Sequence, residues 1–288
     1  MIQAGNSAAT TASTTAALPF IVIEAKKGWF QIGLRELWQF RELLYFLVWR
    51  DVKVRYKQTV LGVAWVILQP LMSMVVFTLF FGKLAKIPSD GFPYPIFSYC
   101  ALLPWGYFAN ALDGAGNSLV GNANLIRKVY FPRLIIPAAA ALAGTLDFAI
   151  AFTLFLPMMG YYRIFPGVGL LLLPVLLFST LMLAMGVGLW LSALNVEYRD
   201  VRYAIPFLIQ LWMFTTPIVY PLSLVPERYR FLMALNPMAG IIDGYRSCLL
   251  DRPMAWPALL CSILIGFATL VTGCIYFSRV QRRFADVI

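Results

Sequence analysis

Residues 168–194 read VGLLLLPVLLFSTLMLAMGVGLWLSAL, 27 positions without one charged side chain. As a helix rising 1.5 Å per residue, the stretch would reach about 40 Å. The hydrocarbon core of a bilayer is about 30 Å thick, so this segment has the length and composition of a transmembrane span. Five further stretches, at approximately 60–82, 95–120, 135–159, 203–221 and 255–278, have the same character. The whole 288-residue chain agrees with them: 61% of it is hydrophobic, only 12% is charged, and the mean hydropathy is +0.77. A soluble domain carries about 25% charged residues, twice what is available here to coat a globule. The expected fold class is an all-α polytopic membrane protein with six transmembrane helices.

The segments outside these spans divide the chain. Residues 1–30 open with an Ala-, Ser- and Thr-rich stretch and read as a disordered tail, with no signal-peptide pattern. Residues 31–59 contain LRELWQFRELLYFLVWRDVKVRYK (34–57). At 100° per residue, Arg35, Glu36, Gln39, Glu42, Arg50, Lys53 and Lys57 share one face. Leu37, Trp38, Phe40, Leu44, Tyr45, Val48, Trp49 and Val52 cover the other, with Arg41, Asp51 and Arg55 breaking the pattern. A basic, aromatic-rich helix of this kind lies in the membrane interface; an ordinary helix of a small soluble domain is the plainer alternative. Residues 60–288 read as the six-span membrane domain. Within it, 222–254 is too apolar for an exposed loop and too broken by Pro and Gly for a span. Short re-entrant helices fit it, provided protein or a water-filled cavity satisfies their backbone. With the N-terminus inside, 16 of the 23 Lys and Arg residues fall on the inner side and 7 on the outer. By the positive-inside rule both termini are then cytoplasmic. The net charge of +10 reads as attraction to anionic lipid rather than to nucleic acid.

Much chemistry is excluded. There is no histidine, hence no His-based triad or His-ligated metal. Cys100, Cys248, Cys261 and Cys274 have no CxxC spacing and read as small buried residues. No GxxxxGK[ST] stretch occurs, so no Walker loop cradles a nucleotide. Two acids fall inside spans. Asp113 shares a helix face with Asn110 and Asn117, and Asp147 lies near the middle of the third span. Such groups face water or the bundle interior, leaving a hydrated pathway and plain helix–helix hydrogen bonding as the two readings. Aromatic residues are dense, among them Phe77, Phe80 and Phe81, Trp105, Tyr107 and Phe108, and Phe207, Trp212, Phe214 and Tyr220. They suit a wall on which sugar rings stack, or an interfacial belt and packing. Gln210, Thr215 and Thr216 add hydrogen-bonding groups between Pro206 and Pro217. The loop 121–134, GNANLIRKVYFPRL, reads as a short surface helix apolar enough to dock in another protein, or as a snorkelling interface turn.

Five blocks carry a family resemblance: RELLYFLVWRDVKVRYKQTVLGVAWVILQP (41–70), GNANLIRKVYFPRLIIP (121–137), NVEYRDVRY (195–203), PIVYP (217–221) and LNPMAGIIDGYR (235–246). In this order they resemble the permease subunits of polysaccharide ABC exporters, the type-2 ABC permeases of the Wzm kind. The resemblance runs from about residue 30 to the end. It implies a homodimer of six-span subunits in the bacterial inner membrane, paired with two separate ATPase subunits that hold ATP and Mg. The chain itself would be no enzyme and carry no cofactor. The cargo would be undecaprenyl-pyrophosphate-linked polysaccharide, O-antigen first, with capsule or teichoic acid chains as other classes.

Carried onto this sequence, the resemblance makes Asn122, Asn124, Leu125, Ile126, Arg127, Lys128, Tyr130 and Phe131 the coupling helix that contacts the ATPase. Asn236, Pro237 and Arg246 fall in the periplasmic gate, and the first and fifth spans line the channel, where Phe77, Phe81, Gln210, Trp212, Phe214 and Thr215 are the candidate residues. Arg50, Lys53, Arg55 and Lys57 are the candidate pyrophosphate contacts. Two rival classes remain: an ion-coupled carrier, which needs more in-membrane acids than Asp113 and Asp147, and a membrane glycosyltransferase or polymerase, which needs acidic clusters at a membrane face.

Overall fold

A computed structural model describes residues 38–57, 62–198 and 200–281. The chain divides into Met1–Gln31 and Ile32–Ile288, and all that follows concerns the second unit. The tail 1–30 and positions 34–37 of the interface segment lie outside the described residues.

Among the described residues all regular structure is helical. In chain order the helices are α1 (Arg41–Lys57), α2 (Gly62–Phe77), α3 (Tyr94–Gly121), α4 (Ala123–Lys128), α5 (Ile135–Tyr162), α6 (Leu173–Glu197), α7 (Val201–Thr215), α8 (Glu227–Leu235), α9 (Pro237–Leu249) and α10 (Trp256–Val280). A π-helical turn, Thr78–Leu84, extends α2, and a 3₁₀ turn, Val168–Leu172, leads into α6. Four of these segments are long and apolar enough to cross a bilayer: Gly62–Leu84, Ile135–Tyr162, Val168–Glu197 and Trp256–Val280. The second expected span forms as α3, whose composition is diluted by Asn110, Asp113 and Asn117. The fifth forms as α7, only 15 residues, or about 22 Å.

The ends follow local chemistry. The helix α7 stops before Pro217, which lacks an N–H, and Thr216 and Ile218 close the turn with bonds to Met213 and Thr216 carbonyls. Asn236 caps α9, its side-chain oxygen accepting from the Met238 N–H at 3.1 Å, with Pro237 at the first helical position.

α3 is the central post, flanked by α5 and α6, and α6 in turn packs on α10. The last crossing needs glycine. A Cβ on Gly186 would lie 2.6 Å from the Leu270 backbone nitrogen, so the two backbones touch with no side chain between them. The core around α3 is aromatic: Tyr99 stacks on Phe155 with centroids 6.3 Å apart, and its hydroxyl donates to the Ala151 carbonyl at 2.8 Å. Cys100, Cys248 and Cys274 are buried and Cys261 is half-buried, all as free thiols.

Candidate functional site

Four groups of residues were singled out by sequence, and the structure places each. The short helix α4 stands at one end of the bundle, between the C-terminus of α3 and the N-terminus of α5. Its two faces differ. Leu125 and Ile126 turn inward against a cluster that includes Leu119, Phe131, Ile136 and Phe277. Asn124, Arg127, Lys128 and Tyr130 are exposed, together with Val129, and Tyr130 keeps 79% of its surface. The expected contact set therefore separates into anchors (Leu125, Ile126, Phe131) and an outward edge. Val129 belongs to that edge, and the sequence reading missed it because nothing but exposure distinguishes it from the anchors.

The preceding residue fixes where α4 begins. The Asn122 amide donates to the Ser118 carbonyl at 2.9 Å, while its oxygen accepts from Arg50 at 3.0 Å. Arg50 also pairs with Asp51 at 2.7 Å, so one guanidinium ties α1 to the start of α4. Farther along α1, Arg55 forms an ion pair with Asp147 of α5, and the Tyr56 hydroxyl donates to the other Asp147 oxygen. Burial, and next the bond to Asp147, push the Tyr56 phenol above its ordinary pKa. Lys53 and Lys57 are exposed and make no ion pair among the described residues. Two of the four candidate cations thus hold helices together, and two stand open.

The two-faced reading of 34–57 needs a correction. Phe40, Leu44 and Val48 pack inward with Leu43 and Leu47, whereas Trp38, Tyr45 and Trp49 point away from the protein. The expected single apolar face is thus two, a mainly aliphatic one toward α5 and an aromatic one outward. Period 3.6 separates apolar from polar but not protein-facing from lipid-facing side chains.

At the opposite end, Asn236 and Arg246 organise the segment after α7. Beyond its cap role, Asn236 accepts from the Trp212 indole N–H at 2.9 Å and donates to Thr216 Oγ1 at 3.0 Å. Arg246 is 1% exposed. It donates to the carbonyls of Ile218 at 2.7 Å and Tyr220 at 3.3 Å, and its guanidinium lies 3.8 Å above the Phe97 ring. Tyr94 supplies a further clamp, donating to the Val219 carbonyl at 2.7 Å. The motif 217–221 is therefore gripped from α3 and α9 together.

The span residues divide in the same way. Phe77 and Phe81 are half-buried and meet edge to face, with centroids 5.6 Å apart. On α7, Gln210, Phe214 and Thr215 lie on the open face. Trp212 turns inward and meets Phe108 edge to face at 5.0 Å. An apolar pocket of about 370 Å³ lies beside the open face, bounded by Leu112, Leu191, Ile205, Leu208, Trp212 and Thr215. Asp113 accepts from Asn117 at 3.0 Å, and Asn117 accepts from Asn195 of α6 at 3.1 Å. Asn117 is the residue that links α3 to α6, and Asp113 reaches α6 only through it. Asn110 is exposed and takes no part. Asn195 opens the block 195–203, but nothing in the sequence tied it to Asn117.

The sequence profile of the ABC-2 type transporter matches residues 42–250, well over half of the chain. This chain belongs to that family. Among curated relatives, the O-antigen export system permease protein RfbA of Myxococcus xanthus is 31% identical over 259 residues, covering 88% of this chain and 98% of the relative. RfbA of Klebsiella pneumoniae is 26% identical over 248 residues, covering 86% and 95%. The polysialic acid transport protein KpsM of Escherichia coli is 22% identical over 202 residues, covering 70% and 78%. The matched region runs from α1 through α9 and takes in the α4 edge, the α7 face and the Asn236–Arg246 segment of this ABC-2 transporter chain.

Proposed function

We propose that this chain is the membrane subunit of an ATP-driven exporter that carries lipid-linked polysaccharide across the bacterial inner membrane. O-antigen is the first choice of glycan, as in the names of the RfbA relatives, with capsule or teichoic acid chains next. Two copies form the pore, and two ATPase subunits, holding ATP and Mg, attach from the cytoplasm. α3 and α7 complete a set of six spans with the four long apolar segments, both termini are cytoplasmic, and α8 and α9 are the re-entrant gate helices.

The observation that carries this reading is the two-faced build of α4. A six-residue helix has too few internal hydrogen bonds to stand alone. Leu125 and Ile126 hold it on the bundle, leaving Asn124, Arg127, Lys128, Val129 and Tyr130 for a soluble partner. Arg and Tyr are the side chains that most often dominate such contacts. The open face of α7, with Gln210, Phe214 and Thr215, would line the channel together with the α2 face that bears Phe77 and Phe81. Stacking tolerates differences between sugars much as it tolerates differences between bases. Lys53 and Lys57 would attract the pyrophosphate. An ion-coupled carrier is less well supported, because Asp113 is engaged by Asn117 of its own helix and Asp147 by Tyr56 of α1.

The test is co-purification with the ATPase encoded beside this chain. Replacing Arg127 by Glu and Tyr130 by Ala should weaken association by about 30-fold, the equivalent of about 2 kcal/mol at a contact centre, and abolish glycan export. The protein should still insert in the membrane. If no ATPase associates and glycan crosses the membrane without ATP, the exporter reading falls and a gradient-driven carrier takes its place.

A further inference from the structure

Asp147 is 7% exposed in the middle of an apolar helix. A charge at the centre of a membrane helix carries an insertion cost of about 2.5–3.5 kcal/mol on translocon scales, and such residues commonly mark function. Its partners come from one place. Oδ2 accepts from Arg55 and Oδ1 from Tyr56, adjacent residues at the end of α1 and more than 90 positions away in sequence. Both carboxylate oxygens are thus engaged by α1 rather than turned toward a pathway.

The rest of α1 is fastened along the same line. Leu47 packs on Ile135 and Ala139 of α5, Phe40 and Leu43 join the cluster that anchors Leu125, and Arg50 holds Asn122 at the start of α4. From Ile135 to Asp147 is twelve residues, about 18 Å along α5. α1 therefore bridges the outward-facing helix α4 and the interior of a span, with apolar packing along its first half and polar fastenings at Arg50 and at Arg55 and Tyr56.

We infer that Asp147 is a positioning residue for transport, fastening α1 to α5 so that a displacement of α4 reaches the spans through α1. The inference rests on the functional reading above, in which an ATPase pushes on α4. A contact of this kind matters to coupling only if it holds α1 and α5 together as one body in both states of the cycle.

The experiment compares export with hydrolysis in the full complex. Cell-surface polysaccharide is labelled by periodate oxidation and a hydrazide dye, and ATP hydrolysis is measured on the purified complex. Asp147→Asn and Arg55→Leu should leave association and hydrolysis near wild type while export per ATP falls on the order of tenfold, the scale seen for residues that carry coupling. Arg55→Lys keeps the charge and should retain most of the ratio. An unchanged ratio in Asp147→Asn, equal losses in Arg55→Lys and Arg55→Leu, or a parallel fall of hydrolysis and export would each overturn the inference. Should Asp147→Asn fail to assemble, Tyr56→Phe removes one hydrogen bond only, and an unchanged ratio there overturns it too. A wild-type chain that binds no ATPase and exports no glycan would instead overturn the functional reading.

Discussion

α3 and α2 are neighbours with opposite habits. α3 carries Asn110, Asp113 and Asn117, yet 19 of its 28 residues are buried. α2 contains no charged residue, yet only Met74 of its 16 is buried. In water the more apolar helix would be the inner one. In a bilayer the solvent is itself apolar, so hydropathy ranks helices by how well they tolerate lipid, not by how deep they sit. What draws α3 to the centre is packing and polar pairing: Ala111 and Ala115 let helices approach closely, and Asn117 finds Asn195.

The sharpest way to break this contrast is at the N-terminal end of α3. Arg246→Met removes the donors of two buried carbonyls and the cation over Phe97, and should cost about 3 kcal/mol. The expected sign is a large fall in melting temperature of the detergent-purified protein. A loss under about 1 kcal/mol would mean that the segment 217–221 is held from elsewhere. Gly186→Ala tests the packing half of the argument. Its Cβ would meet the Leu270 backbone at 2.6 Å, and overpacking of this kind costs about 1–3 kcal/mol. The smallest effect on stability should come from an open face: Phe214→Ala on α7 should change stability by no more than about 0.5 kcal/mol. Export should nonetheless fall several-fold, which a purely lipid-facing residue would not do.

The positions of the helices were legible in the sequence, since bilayer thickness dictates long apolar runs and the six segments expected as spans all form helices. Their partners were not. The first span was expected to end near residue 82, and the π-helical turn carries it to Leu84, with Gly82 tucked against the Tyr94 ring. The fifth was expected to reach residue 221, but α7 ends at Thr215 because Pro217 cannot continue it and Arg246 takes the carbonyls beyond. At the candidate sites, residue type pointed to the right segments and failed on side-chain direction. Arg50 and Arg55 look like Lys53 and Lys57 to any charge count, and only the fold reveals that the arginines meet Asn122 and Asp147. Leu125 and Tyr130 looked like parts of one surface and stand on opposite sides of it.

The backbone contact between α6 and α10 also sets a standard of measurement. Where glycine lets two main chains touch, no rotamer change can accommodate sliding, so the separation of these helices should stay constant through a transport cycle. A pair of spin labels placed across α6 and α10 would then serve as the ruler's fixed mark, against which a label on the outer face of α7 or on α4 reports true displacement rather than tumbling of the whole subunit.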